Sequence, residues 1–212
     1  MSAAVESLLE TLAQHGERVA LVQAGQQLSY TQLLHEISAR ADGLRQVGAK
    51  RLGLALDNGL EWVLWDLAAL VAGIVCVPVP GFFSPAQQRH VLDSAGVDSL
   101  IAADASAFAA LGFGAVAAQI AQRSLPVVAE LPAGTVNITY TSGTTGQPKG
   151  VMLSAHAMAF SAANATAELN MTPQDQFFSY LPLSHAAERF LVEFNSLYCG
   201  APVAFVESLE TF

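Results

Sequence analysis

Hydrophobic positions along the chain form short apolar runs separated by stretches of helical period. Arg18 to Val22 predicts a strand, turned by Gly25-Gln26-Gln27 before Leu28. Ser29-Tyr30-Thr31-Gln32 has the spacing of a capping box, with Leu28 and Leu33 placed as a hydrophobic staple. Leu33, Ile37, Ala41 and Leu44 then share one face of a helix, and Gly48 suits its end. Leu52 to Leu56 predicts another strand, and a helix begins near Gly59. Its Trp62 and Trp65 could form a ligand shelf, but core packing is the stronger expectation. Ile74 to Val79 is strand-like, β-branched and broken by Pro78.

Ser84-Pro85-Ala86-Gln87 marks a further helix, with Gly96 at its end and a short strand at Leu100 and Ile101. Ala102 to Leu131 is alanine-rich and reads as a short helix, a connector and a strand. Pro132-Ala133-Gly134 turns into a strand from Thr135 to Tyr140, and Gly150 to Leu153 predicts another. Ser154 caps an alanine-rich helix from Ala155 to about Leu169. Pro173-Gln174-Asp175 leads into the strand Gln176 to Tyr180. A helix from about His185 to Cys199 follows, closed by Gly200, and Val203 to Val206 is the last strand. Strands alternating with helices predict an α/β layered domain, with a mostly parallel sheet flanked by helices.

Composition narrows the function more than the fold. Apolar residues make up 52% of the 212 residues and charged residues 13%, so a sizeable core can form. The net charge of −9 argues against nucleic acid or an anionic membrane as the main partner, but leaves a local phosphate pocket open. Val63 to Val79, the greasiest run, contains Asp66, Gly73 and Pro78, which favours a helix-to-strand break over a membrane span. Cys76 and Cys199 have no Cys-x-x-Cys spacing and read as buried thiols in a reducing, cytoplasmic setting. Met1 to Glu10 lacks the basic leader and apolar stretch of a signal peptide.

One stretch breaks the greasy pattern. Thr141 to Gly150 holds no aliphatic or aromatic side chain between two apolar runs. Hydroxyls stand at Thr141, Ser142, Thr144 and Thr145. Gly143 and Gly146 free the backbone to present its N–H groups, and Lys149 adds a mobile cation. Those are the requirements of a polyphosphate site: many donors, positive charge and no obstruction. A surface hairpin turn is the bland alternative, and the clustering counts against it. A Walker A loop needs glycine directly before the lysine and a hydroxyl after it, whereas here Gly146-Gln147-Pro148-Lys149-Gly150 leads into a strand. No Gly-x-Gly-x-x-Gly occurs in this stretch.

Tyr140-Thr141-Ser142-Gly143-Thr144-Thr145-Gly146-Gln147-Pro148-Lys149-Gly150-Val151 resembles the phosphate loop of the adenylate-forming (AMP-binding) superfamily. That superfamily includes acyl-CoA synthetases, luciferases and peptide-synthetase adenylation domains. Leu70 to Val79 resembles its early Ala-Gly-x-x-x-x-Pro segment, and Ser179 to Arg189 its Leu-Pro-Leu-x-His segment. Glu188-Arg189 and Glu207 to Phe212 look most like long-chain fatty acid–CoA ligases.

The resemblance implies a two-step reaction. A carboxylate attacks the α-phosphate of ATP to give acyl-AMP, and the thiol of CoA then takes the acyl group. Thr141, Ser142, Gly143, Thr144, Thr145 and Gly146 would hold the β- and γ-phosphates, with Lys149 and Gly150 beside them. His185 would lie at the substrate site. The glutamate that holds Mg²⁺ is expected outside this chain, as are the ribose segment and the C-terminal lysine.

The chain thus reads as residues 1–212 of the superfamily's large domain, an N-terminal portion unable to complete the reaction alone, with a second subdomain starting near 183–212. Its partners would be a fatty or other carboxylic acid, ATP, CoA and the remainder of the same enzyme. The parent would make peripheral membrane contact. Adenylation of an aryl or amino acid is the runner-up, and a non-catalytic nucleotide-binding module a second alternative. Glu188, Arg189 and Glu193 read as a charged helix face, with Arg189 and Glu193 an i,i+4 pair. His15, His35, His90 and His156 read as structural.

Overall fold

The computed structural model describes residues 2–125, 130–141 and 147–206. Eleven strands among them form two sheets. The first strands are β1 (Val19–Gln23), β2 (Gln26–Ser29), β3 (Arg51–Ala55), β4 (Val75–Pro78) and β5 (Ser99–Ala102). They are followed by β6 (Gly114–Ala117), β7 (Ile120–Gln122), β8 (Thr135–Thr141) and β9 (Lys149–Ser154), then β10 (Phe177–Ser179) and β11 (Val203–Phe205).

The larger sheet runs β6-β7-β5-β3-β4-β8-β9 and the smaller β10-β11-β1-β2. The α/β expectation holds, with parallel pairing confined to the middle. β5, β3, β4 and β8 are parallel neighbours, while β6, β7 and β9 add antiparallel edges. In the smaller sheet β10, β11 and β1 are parallel and β2 turns back on β1.

The helices are α1 (Ala3–His15), α2 (Tyr30–Gln46), α3 (Leu60–Ala72), α4 (Pro85–Ser94) and α5 (Ala155–Glu168). Both predicted capping boxes are present. Ser29 Oγ accepts from the Gln32 amide and Ser84 Oγ from the Gln87 amide, and each glutamine bonds back to its cap. α3 is apolar nearly all round and lies inside the molecule, touching β3 and β4 of one sheet and β1 of the other. Trp62 and Trp65 are both buried in it, as core packing requires. α3 starts at Gly59, which has no capping side chain. Gln23 of the smaller sheet supplies one, its Oε1 accepting from the Leu60 amide at 2.8 Å. A Cβ at Gly59 would stand 2.5 Å from that oxygen, and its φ of 155° also favours glycine. Cys76 and Cys199 are free and buried, as expected.

Four elements differ from the sequence reading. α1 was not expected. Gln26–Ser29 pairs as a strand rather than forming only a turn. The alanine-rich stretch folds as a 3₁₀ segment, Ala105–Leu111, and the hairpin β6–β7. The predicted final helix is also divided: α6 (Ala186–Glu188) passes through a π-helical stretch, Arg189–Phe194, into α7 (Asn195–Cys199).

Candidate active site

The exits of the parallel strands carry the candidate site, which is where ligands gather in open α/β sheets. β8 ends at Thr141, and β9 returns antiparallel from Lys149, so these two residues are cross-strand partners. The hairpin reading set aside on composition is therefore correct as topology: the connection does turn an antiparallel pair. The expected strand after Lys149 is present, so no helix N-terminus follows the lysine as a Walker A loop requires. Ser142, Gly143, Thr144, Thr145 and Gly146 lie outside the described residues. Lys149 is exposed and takes part in none of the ion pairs among the described residues. Gly150 faces Tyr140, and a Cβ there would lie 2.8 Å from Ile138 Cγ2 and 3.0 Å from Tyr140 Cζ. Close packing across the hairpin therefore demands glycine at 150.

His185 belongs to the other sheet, in the segment that leaves β10. Its backbone N–H donates to Pro182 O at 2.8 Å. Its Nδ1 accepts from the Ala187 amide at 3.3 Å, as the cap of α6. In the neutral ring the proton therefore sits on Nε2, and the side chain is exposed. Its neighbour Ser184, but not His185 itself, lines a cleft of about 520 Å³, together with Tyr180 and Pro182 and, from other segments, Asn58, Gly81 and Phe82. Thr141 and Lys149 do not line this cleft. Asn58, at the exit of β3, holds the two sides together. Its Oδ1 accepts from the Leu183 amide at 2.7 Å, and its Nδ2 donates to Leu181 O. Glu188 adds a further tie, accepting from the Tyr180 amide at 2.9 Å.

The expected charged face after His185 is not a face at all. Glu188, Arg189 and Glu193 are buried at 3%, 2% and 1% exposure. Arg189 grips Asp66 of α3, with Nη2 2.6 Å from Oδ1 and Nε 3.0 Å from Oδ2. It also lies over the rings of Trp62 and Phe194. Burial is the largest single influence and works against its charge, but Asp66, Cys76 and Glu193 together outweigh it and hold the guanidinium above its ordinary pKa. An i,i+4 pair on a solvated surface is thereby replaced by an ion pair between distant segments.

Burial, reinforced by Asp66, pushes the Glu193 carboxyl well above the usual carboxylate range, with Arg189 pulling the other way. The Glu193 carboxyl thus holds its proton to higher pH in the folded protein than in the unfolded chain, where it ionises near pH 4.3, roughly. Between those two values the folded state binds the extra proton, so stability falls as pH rises. Glu193→Gln is expected to remove that slope and to raise stability at neutral pH. Urea unfolding between pH 4 and 8, roughly, checks this, and an unchanged slope would count against it.

Sequence reasoning missed Asn58, Asp66 and the pairing of Tyr140 with Ser94. Asp66 did carry a signal, since a lone acid in an otherwise apolar helix must find a buried partner. Among the described residues no group of three His, Cys, Asp or Glu is placed to hold a metal ion, and no helix is long and apolar enough to cross a membrane.

Comparison with known proteins gives this geometry a family. The model of the AMP-binding enzyme family matches residues 8–212. The chain is 27% identical, over 85% of its length, to the peroxisomal long chain acyl-CoA synthetase 7 of Arabidopsis thaliana, of which it spans 31%. It is 30% identical, over 100% of its length, to the L-proline–[L-prolyl-carrier protein] ligase of Streptomyces coelicolor, spanning 46% of that protein. The structure of O-succinylbenzoate coenzyme A synthetase from Bacillus subtilis in complex with AMP superposes with a TM-score of 0.80 at 22% identity. That match covers 95% of this chain and 56% of that one, and is a likeness of fold. The chain spans less than two thirds of each of these proteins. With the family model matched from residue 8 to residue 212, and the hydroxyl- and glycine-rich segment lying between β8 and β9, the chain belongs to the AMP-binding enzyme family.

Proposed function

We propose that this chain supplies the triphosphate-binding part of an AMP-forming acyl-CoA synthetase. In the first step a carboxylate oxygen attacks the α-phosphorus of ATP, and the bond to the bridging oxygen breaks to release pyrophosphate. In the second, the sulfur of CoA attacks the acyl carbon and AMP leaves. Negative charge grows on the phosphates in the first step, so donors aimed there lower the barrier.

The observation that carries the reading is the hydroxyl- and glycine-rich segment between Thr141 and Lys149, anchored at the exit of a parallel strand and followed by a strand. Thr141, Ser142, Gly143, Thr144, Thr145 and Gly146 would contact the β- and γ-phosphates, and Lys149 would bring its charge to them. His185, with Nε2 free to donate, would face the acyl and adenylate groups beside the cleft. Mg²⁺, when bound with ATP, neutralises phosphate charge. Its ligand glutamate belongs to the remainder of the enzyme, so residues 1–212 act as the N-terminal portion of the large domain.

A fatty acid is the carboxylate we favour, on the likeness of Glu188-Arg189 and Glu207 to Phe212 to long-chain ligases. Adenylation of an amino or aryl acid is the second reading, and the resemblance to a prolyl-carrier protein ligase favours it. ATP–pyrophosphate exchange by the intact protein distinguishes them. Exchange is expected with fatty acids and not with amino acids, followed by CoA-dependent release of AMP. Exchange confined to amino or aryl acids would establish the second reading, and no exchange with any carboxylate would overturn both.

A further inference from the structure

Helix α4 holds both ends of the β8–β9 connection. His90 and Ser94 lie one turn apart on it. His90 Nε2 stands 3.1 Å from Pro148 O. A carbonyl oxygen only accepts, so Nε2 carries the proton. Ser94 Oγ donates to His90 O at 2.5 Å and so accepts the phenol proton of Tyr140, 2.7 Å away. The His90 and Tyr140 rings meet edge to face, with centroids 6.3 Å apart. Tyr140 directly precedes Thr141, and Pro148 directly precedes Lys149. The two tethers therefore grip the residues on either side of the connection.

Among the described residues the Thr141–Lys149 pair is the last of the hairpin ladder. Pro148 has no N–H to add another rung, and its carbonyl accepts from His90, outside the hairpin. The helix that provides this anchor is itself well fixed. A capping box starts it, Gln88 Nε2 donates to Pro80 O at 3.2 Å, and Arg123 Nη2 donates to Leu92 O at 2.7 Å. Val91 and Leu92 are fully buried.

From this we infer that His90 is a positioning residue for ATP: through Pro148 it sets where Lys149 stands relative to Thr141. The inference rests on the triphosphate-binding reading above. Lys149 brings the positive charge in that reading, so fixing the residue before it should act on nucleotide affinity and spare the carboxylate.

The test uses ATP–pyrophosphate exchange by the intact protein, with thermal unfolding measured in parallel. His90→Phe keeps a ring and removes the donor, while His90→Gln restores an N–H donor. H90F is expected to raise the KM for ATP about fivefold, the scale of one lost hydrogen bond, and to leave the KM for the carboxylate and the melting temperature near the wild-type values. H90Q should recover most of the loss. H90A stands in if H90F is not soluble, with the same expectation. An unchanged KM for ATP overturns the inference, as does a parallel rise of both KM values with a lower melting temperature, which would mark His90 as a general packing residue. Exchange that is absent in the wild-type protein would instead remove the triphosphate reading, and this inference with it.

Discussion

Arg189→Met is expected to lower stability by about 3–5 kcal/mol, the cost of leaving one partner of a buried ion pair uncompensated. The guanidinium is the buried counterion of Asp66, so its removal leaves a buried carboxylate near the buried carboxyl of Glu193. Asp66→Leu should cost a similar amount, because it leaves the Arg189 guanidinium buried without its ion-pair partner. The double variant, D66L with R189M, should recover most of the loss, since an apolar pair of similar volume is often neutral or better. Urea unfolding of the three proteins checks the order. If R189M stays within about 1 kcal/mol of wild type, the scale of an exposed pair, the buried pair is not the anchor described here.

Gly150→Val should cost of order 1–3 kcal/mol, because Ile138 and Tyr140 are buried and have little room to yield to a Cβ placed 2.8–3.0 Å away. The displacement also pushes the Tyr140 ring off Ser94, so nucleotide affinity should fall along with stability. A double-mutant cycle separates the clash from other effects. Ile138→Ala should be less damaging in a G150A background than in the wild type. Additive losses would show that the space opposite Gly150 is not what limits the site.

Local signals were read correctly where the chemistry is local. The capping boxes at Ser29 and Ser84 need only four residues each, and both form. The strand after Lys149 was legible in the apolar run that follows it, and with it the argument against a Walker A loop. α1 went unread although Val5, Leu8 and Leu12 recur at helical spacing and are buried. β2 was legible only as a turn because Gln26-Gln27-Leu28-Ser29 shows no apolar alternation, and its pairing is imposed by β1. In Gly114–Gln122 alanine gives too little contrast between faces to show a hairpin.

The error at Arg189 and Glu193 has another cause. A helical wheel drawn at 3.6 residues per turn does not hold through a π-helical stretch, and the partner Asp66 lies 123 residues away. Asn58 and His90 were illegible for a similar reason. Each acts on a segment brought close only by the packing of strands from far along the chain. The hydroxyl- and glycine-rich composition of that segment could be read without any fold, but the contact of His90 with Pro148 could not.

The placement of β11 has a consequence for how the molecule is made. β1 can pair on that side only with a strand that emerges about 180 residues later, roughly 9–36 seconds at ordinary rates of synthesis. Until then the β1–β2 hairpin has no third strand, and an isolated hairpin is marginal in water. The phenol of Tyr30 likewise waits for Ser196 O and Ala201 O, its two acceptors. The larger sheet can assemble on the ribosome while the smaller one stays open, which makes β1 the segment most exposed to capture by a chaperone or by another nascent chain.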